Sequence, residues 1–283
     1  MAILMAAIKC GLCRSGRTRG SASRSGSPPR TGQASPRSSW QKGITLDSAH
    51  PTLMFAYGGF NISLTPSYSP LASAFVAQGG VYAQPNLRGG GEFGEKWHKA
   101  GMLDNKQRVF EDFFAAAEYL TAQGYTSPAH LAIYGRSNGG LLMGAAFTQR
   151  PELFRAVVCG FPLLDMVRYD KFKVARWWVP EYGSASDVHQ FDTLLAYSPY
   201  QLVRKGAKYP AVMFVSGDFD MRVDPLHARK MTALLQASTG SGLPVVLRYD
   251  TEAGHSSGMP IAKEIDLMSD ETSFIDWQLG VSP

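Results

Sequence analysis

The chain contains 283 residues, of which 45% are hydrophobic, so it can bury a substantial core and we expect a single large domain. The formal net charge is +5, but eight of the 28 Lys and Arg residues fall in residues 1–46, which contain no acidic residue, and the rest of the chain is therefore mildly acidic. That distribution excludes a nucleic-acid-binding protein, and the lack of any apolar run of about 18 residues excludes a membrane protein.

Residues 1–45 are predicted to form a basic tail rich in Ser, Arg, Gly and Pro. From Cys10 to Ser39 apolar residues are almost absent, so burial cannot offset the entropy of ordering and we expect disorder. The composition is typical of an organelle transit peptide, and the poorly defined start of a gene fragment is the alternative. We expect a cytoplasmic protein, with organelle targeting by the tail as the alternative. Cys10 and Cys13 form a lone C-x-x-C without the second pair of a zinc site, so neither a metal nor a cofactor is expected.

Residues 46–283 are predicted to form one α/β domain. Short β-branched or aromatic runs alternate there with longer amphipathic segments, which is the pattern of strands and crossover helices around a parallel sheet. Over residues 108–123 apolar side chains recur at helical spacing, and Gly124 follows as a C-terminal stop. The predicted strands are 52–57, 80–85, 130–134, 156–161, 211–216 and 244–249.

A nucleophile is predicted at Ser137, because residues 134–140 read YGRSNGG. This segment lies between the strand 130–134 and an apolar helical run, the context in which G-x-S-x-G marks the nucleophile of an α/β-hydrolase. Side chains at positions 135 and 139 would collide with neighbouring backbone in such a turn, which explains both glycines. We therefore expect an α/β-hydrolase with a doubly wound, mostly parallel sheet. A Gly-rich turn with an incidental serine is the alternative.

The general base is predicted to be His255. In α/β-hydrolases the catalytic residues follow the chain order Ser, then Asp or Glu, then His. Of the six histidines, three precede Ser137, His189 precedes any plausible acid, and His227 falls within a predicted helix. Only His255, in a loop after the last strand, can serve as the base that the serine requires.

The acid is expected in the loop after the strand 211–216, which holds Asp218, Asp220 and Asp224. Asp224 precedes a proline that opens a helix, so its side chain is expected to bind backbone N–H groups. The residues alone leave Asp218 and Asp220 as equal candidates.

Four segments in order resemble the catalytic domain of prolyl oligopeptidases. They read YGGFN, RGGGEFG, GRSNGG and DMRV, at residues 57–61, 88–94, 135–140 and 220–223, and the resemblance extends over about residues 43–283. It implies that Asp220 is the triad acid. It also implies an oxyanion hole formed by the backbone N–H of Asn138 and the phenol of Tyr57, for which a tyrosine that merely caps the strand is the alternative.

The same resemblance implies a proline pocket around the segment WWVPEYG at residues 177–183. An apolar aromatic slot suits a proline ring, which has no hydrogen-bond donor. Related oligopeptidases that cut after Arg or Lys use acidic residues in this region, whereas this chain has Glu181 alone. Ordinary core packing of the aromatic residues is the alternative. The implied pocket residues are Phe60, Trp178, Tyr182 and Val223, with Trp178 stacking on the proline and Arg222 binding a substrate carbonyl one residue upstream.

The resemblance implies a serine endopeptidase that cleaves proline-containing peptides after proline through an acyl-enzyme. A carboxylesterase and a catalytically impaired fragment are the alternatives, because fold and triad do not select the acyl group. The family normally places a β-propeller and two further strands before this part of the sheet, and the residues before 52 resemble neither. We therefore expect an N-terminally truncated sheet with an unpaired edge along residues 80–85, through which the chain self-associates.

Overall fold

The computed structural model describes the backbone of residues 5–10 together with residues 46–255 and 259–281, so residues 11–45 of the predicted tail lie outside the described residues. The strands are β1 (Met5–Cys10), β2 (Thr52–Phe55), β3 (Val81–Pro85), β4 (Leu131–Arg136), β5 (Ala156–Gly160), β6 (Ala211–Gly217) and β7 (Val245–Asp250). The α-helices are α1 (Pro70–Ala77), α2 (Glu95–Lys99), α3 (Gln107–Ala122), α4 (Asn138–Gln149), α5 (Val179–Tyr182), α6 (Val188–Tyr197), α7 (Pro199–Leu202), α8 (Leu226–Ser238) and α9 (Ile261–Leu279). Short 3-10 helices cover Leu103–Asn105, Pro128–His130, Pro151–Leu153, Tyr169–Lys171 and Ala175–Trp178.

The described strands form one seven-stranded sheet in the order β1-β3-β2-β4-β5-β6-β7. The pairings among β2 to β7 are all parallel, and β1 pairs antiparallel with β3. The predicted doubly wound, mostly parallel α/β-hydrolase fold is therefore confirmed. All six predicted strands are present with ends shifted by at most two residues, and the predicted helix 108–123 is α3.

Apolar side chains alternate between the two faces of the sheet, as the period of an extended strand requires. Met54 and Ile133 face a core built with α3, α4 and α8. Leu53 and Ala132, one position away on the same strands, face a second core built with α1 and α9. Because helices cover both faces, β5 and β6 are buried over their whole length. Because β2 to β7 are parallel, their carboxyl ends meet at a single edge of the sheet.

The prediction of an unpaired edge along residues 80–85 is wrong. Residues 5–10 lie along β3 in antiparallel register, with Cys10 opposite Val81 and Met5 opposite Pro85. The free N–H and C=O groups of an edge strand are a template for any extended segment, and the start of the predicted tail supplies that segment. The outer strand on this side of the sheet is therefore β1 and not β3, and self-association stays a prediction.

The loop that carries Tyr57 begins earlier than predicted. β2 ends at Phe55, two residues before the predicted strand end. Gly58, Phe60 and Asn61 have φ values of 63°, 57° and 56°, which lie far from those of an extended strand. The chain therefore turns immediately after β2, and Tyr57 belongs to the loop at the carboxyl edge of the sheet.

Within the described ranges, no helix is long and apolar enough to cross a membrane. Nor do three His, Cys, Asp or Glu side chains come together among these residues in a way that could hold a metal ion. Cys159, in β5, is a buried free cysteine.

Candidate active site

Ser137 occupies the sharp turn between β4 and α4, with φ and ψ of 58° and −118°. A Cβ on Gly135 would lie 2.5 Å from the carbonyl oxygen of Gly139, and a Cβ on Gly139 would lie 2.8 Å from that of Ala56. Both contacts are with backbone, so the sequence-based explanation of the two glycines is confirmed. The left-handed conformation at Ser137 costs on the order of 1–3 kcal/mol. A hydrogen bond of 2.9 Å from its N–H to the carbonyl of Gly160 helps to hold the turn.

His255 and Asp220 form the second part of the site. The Nδ1 atom of His255 lies 2.7 Å from Oδ2 of Asp220, whose side chain is completely buried. Oδ1 of Asp220 accepts hydrogen bonds of 2.9 Å from the N–H groups of Arg222 and Val223. A carboxylate fixed in this way holds the proton of the imidazole on Nδ1, so that Nε2 is the nitrogen that can accept another proton.

The other two aspartates of this loop have different partners. Asp218 accepts a short hydrogen bond from the hydroxyl of Tyr249. Oδ1 of Asp224 accepts a hydrogen bond of 3.0 Å from the N–H of Leu226, as the sequence predicts for a residue at the start of a helix. Of the two candidates that the residues left open, Asp220 contacts the histidine and Asp218 contacts Tyr249.

The end of β5 links the serine to the histidine. Gly160 accepts the hydrogen bond from the Ser137 N–H, and the next residue, Phe161, packs edge-on against the imidazole of His255 with ring centroids 5.5 Å apart. Phe161 is buried. The three candidate catalytic residues, which follow β4, β6 and β7, therefore lie at the same carboxyl edge of the sheet, and the end of β5 contacts both Ser137 and His255.

Tyr57 and Asn138 lie where hydrogen-bond donors to an oxyanion are expected. Burial raises the pKa of Tyr57 above its ordinary value, and the charge of Arg222 and the side chain of Ser137 oppose that effect. The phenol therefore remains a neutral O–H donor at neutral pH. The N–H of Asn138 lies in the first turn of α4, where it has no partner within the helix. The Asn138 side chain donates a hydrogen bond of 2.6 Å to the Tyr57 carbonyl, so both donors are tied together.

Aromatic side chains form one wall next to Tyr57. Phe60 makes edge-to-face contacts with Tyr182 and Trp178, with centroid distances of 5.5 and 6.4 Å. Tyr182 is fully buried and Trp178 is half-buried, whereas the adjacent Trp177 is 71% exposed. The other two residues of the predicted pocket follow Asp220 in the chain: Val223 is buried, and Arg222 is exposed and close enough to act electrostatically on Tyr57.

A buried charged cluster behind this wall escaped the sequence analysis. We call Lys106, Glu181 and His98 the Lys106 cluster. Oε1 of Glu181 lies 3.4 Å from Nζ of Lys106, and Oε2 lies 2.9 Å from Nε2 of His98. Lys106 and Glu181 are 1% and 5% exposed, so the pair is sealed inside the protein. No local motif marks these residues, and the only signal was an isolated acid next to Tyr182.

Comparison with known proteins agrees with this geometry. The model of the prolyl oligopeptidase family matches residues 66–282. The chain belongs to the prolyl oligopeptidase family. Among family members, it is 43% identical over 244 residues to a prolyl endopeptidase of Elizabethkingia meningoseptica, and 42% identical over 242 residues to one of Dictyostelium discoideum. These matches cover 86% and 84% of this chain but 35% and 32% of the relatives.

Solved structures of prolyl oligopeptidases have the same fold. One of two prolyl endopeptidases analysed for the role of inter-domain dynamics superposes with a TM-score of 0.83 at 52% identity, covering 86% of this chain and 36% of its own. Prolyl oligopeptidase B of Galerina marginata, bound to a 35mer substrate of hydrolysis and macrocyclization, superposes with a TM-score of 0.80 at 34% identity, covering 84% and 34%. The chain thus spans about a third of the length of the family members that it matches, the third that carries the candidate active site.

Proposed function

We propose that this chain is the catalytic part of a serine peptidase that cleaves peptides on the carboxyl side of proline. The observation that carries the proposal is the hydrogen bond between His255 and the buried carboxylate of Asp220, beside a serine in a strained turn. The names of its relatives, several of which are prolyl endopeptidases or prolyl oligopeptidases, support the substrate class.

In the proposed reaction Ser137 Oγ attacks the carbonyl carbon of the peptide bond while His255 takes its proton. The hydroxyl of Tyr57 and the N–H of Asn138 stabilise the oxyanion of the tetrahedral intermediate. The C–N bond then breaks, His255 gives the proton to the leaving amine, and an ester with Ser137 remains. Water, deprotonated by the same histidine, hydrolyses that ester. Asp220 stays ionised throughout and stabilises the imidazolium.

The preference for proline is supported by the chemistry of the aromatic wall. A proline side chain offers no donor and no charge, so apolar and aromatic neighbours such as Phe60 and Trp178 suit it. A pocket for Arg or Lys requires an available carboxylate. Glu181 is the acid nearest to this wall in the chain, and its two oxygens already contact Lys106 and His98. A basic substrate side chain would have to compete with these two partners.

The proposal is tested with amide and ester substrates that share a Gly-Pro acyl group, together with the corresponding Gly-Arg amide. We expect the protein to cleave the Gly-Pro amide and to cleave the Gly-Arg amide at least about 100-fold more slowly. Ser137→Ala is expected to abolish cleavage of both amides. Cleavage of the ester alone would indicate a carboxylesterase. A folded protein that cleaves neither the Gly-Pro amide nor the Gly-Pro ester would indicate a catalytically impaired fragment.

A further inference from the structure

The Lys106 cluster contains a lysine whose ammonium group is buried directly below the loop of Tyr57. Lys106 precedes α3, and its Nζ donates a hydrogen bond of 3.1 Å to the carbonyl of Gly58. Burial lowers the pKa of Lys106, and the charge of Glu181 opposes that effect. Removing an ammonium group from water is unfavourable, and that cost is recovered only where its partners are well placed. Such a group is therefore a feature of the loop that requires an explanation.

Lys106 and Glu181 contact the loop of Tyr57 at two positions. Lys106 holds the carbonyl of Gly58, and Oε1 of Glu181 accepts a hydrogen bond of 3.1 Å from the N–H of Phe60. At the second of these contacts the backbone is in an unfavourable conformation, because Phe60 has a φ of 57°. A positive φ is unfavourable for a residue other than glycine. The two contacts stabilise that conformation, and Tyr57 lies one residue before the first of them.

A second connection runs from Glu181 through its neighbour to the other oxyanion donor. The hydroxyl of Tyr182 donates a hydrogen bond of 2.7 Å to the Asn138 side chain, which in turn donates to the Tyr57 carbonyl. Nζ of Lys106 lies 5.2 Å from the centre of the Tyr182 ring, so the same ammonium group also contacts this path. Both sides of the candidate oxyanion hole are therefore tied to one buried ion pair.

We propose that Lys106 and Glu181 are positioning residues that hold the hydroxyl of Tyr57 in place for the oxyanion. His98 completes the cluster by occupying Oε2 of Glu181, so that Oε1 remains directed at Lys106 and Phe60. The pair touches neither the nucleophile nor the base, and it acts on the reaction only through the loop. This inference deepens the proposed function and rests on Ser137 being the nucleophile.

The test is a double-mutant cycle between Lys106→Met and Tyr57→Phe. The readout is the second-order rate constant for phosphonylation of Ser137 by a small alkyl fluorophosphonate. In that reaction Ser137 Oγ bonds to phosphorus, fluoride leaves and His255 takes the proton, so proline recognition is not required. We expect Lys106→Met to slow labelling about 10-fold when position 57 is tyrosine, and less than about twofold in the Tyr57→Phe background.

Two further variants separate positioning from stability. Lys99→Met is the matched control, because Lys99 is exposed and pairs with Glu95 at the surface; it is expected to leave the labelling rate unchanged. Lys106→Met combined with Glu181→Gln removes both buried charges and therefore avoids an unpaired one. We expect this double variant to have a higher urea midpoint than Lys106→Met alone. It should still be labelled about 10-fold more slowly than the unaltered protein.

If Lys106→Met slows labelling equally with and without the Tyr57 hydroxyl, the inference is overturned. A folded Lys106→Met, Glu181→Gln variant that is labelled at the full rate would also overturn it. Labelling of the unaltered protein without cleavage of the Gly-Pro amide would overturn the proposed function and leave this inference standing if the cycle shows coupling. An unaltered protein that is folded but not labelled would overturn both.

Discussion

The two halves of the candidate site are held in place by different means. In the catalytic half, Ser137 follows directly on β4, where Arg136 is paired with Gly160. Asp220 and His255 lie in the loops after β6 and β7, which are joined by backbone hydrogen bonds from Asp218 to Asp250 and from Phe219 to Ala253. The binding half consists of the loop from Tyr57 to Phe60 and the two short helices Ala175–Trp178 and Val179–Tyr182. Its conformation depends on side-chain contacts with Lys106, Glu181 and Asn138.

The difference predicts different responses to mutation. The catalytic half is positioned mainly by backbone hydrogen bonds, which a change of side chain does not remove, so a single substitution there is expected to change the chemistry and leave the geometry intact. A loop held by a few buried polar contacts moves when one contact is lost, and such contacts cost up to several kcal/mol when only one partner is removed. Variants in the binding half are therefore expected to change substrate discrimination as well as rate.

The largest effect is expected from Asp220→Asn. The amide cannot accept the Nδ1 proton in the way a carboxylate does, so the imidazole is no longer held in the tautomer that accepts a proton from Ser137. We expect kcat for the Gly-Pro amide to fall by about 10⁴-fold with a nearly unchanged urea midpoint.

Asp218→Asn is the matched control for that variant. It lies two residues earlier in the same loop, and its carboxylate binds the Tyr249 hydroxyl instead of the histidine. We expect it to reduce kcat by less than about 10-fold. Comparable losses in both variants would mean that Asp220 has no special relation to the base.

The same contrast explains how far the sequence predicted the molecule. Ser137 was found because strand, turn and helix are contiguous in the chain, so a local pattern carries the whole argument. His255 was selected by chain order, and the resemblance chose between Asp218 and Asp220, whose difference lies in contacts with Tyr249 and His255. Contacts of that kind have no local signature in the sequence.

What was missed depends on long-range contacts. Glu181 lies 75 residues from Lys106 and 83 from His98, and nothing in the chain near any of them indicates the pairing. The strand β1 was missed for a related reason: residues 5–10 form a strand by pairing with the edge of β3, while the Arg- and Ser-rich residues that follow them gave the whole segment the composition of a disordered tail.

A smaller effect, in the binding half, is expected from Trp178→Ala. Trp178 meets the edge of Phe60, and its loss removes the aromatic surface proposed to stack on proline. We expect kcat/KM for the Gly-Pro amide to fall on the order of 10- to 100-fold and the preference over the Gly-Ala amide to shrink by a similar factor. Trp177→Ala, at the exposed neighbouring position, controls for the loss of a tryptophan. Unchanged selectivity in Trp178→Ala would place the proline pocket elsewhere.

The smallest effect on activity is expected from His227→Asn, at a buried position that contacts the loop after β5. Its main effect is expected on the pH dependence of stability. The Nδ1 atom of His227 accepts hydrogen bonds of 3.3 and 3.1 Å from the N–H groups of Leu164 and Asp165, in the loop after β5. Burial lowers the pKa of His227 to about 4, although Asp165 and Asp224 act in the opposite direction. The amide oxygen of asparagine preserves an acceptor near the position of Nδ1 and does not titrate.

The sign of the pH dependence follows from that lowered pKa. An unfolded chain protonates this histidine near pH 6.5, whereas the folded protein does so only near pH 4, so the stabilisation is complete above pH 6.5 and is lost as the pH falls toward 4. Between pH 7.5 and pH 5 the buried histidine should reduce the free energy of unfolding by roughly 2 kcal/mol.

Urea denaturation at both pH values should show a smaller drop in the free energy of unfolding for His227→Asn than for the unaltered protein. His189→Asn, at an exposed position, is the control, and an equal flattening in that variant would rule out the buried histidine as the source. If the drop is smaller only in His227→Asn, the scaffold of the catalytic half requires a neutral buried base, whereas that of the binding half contains a buried ion pair.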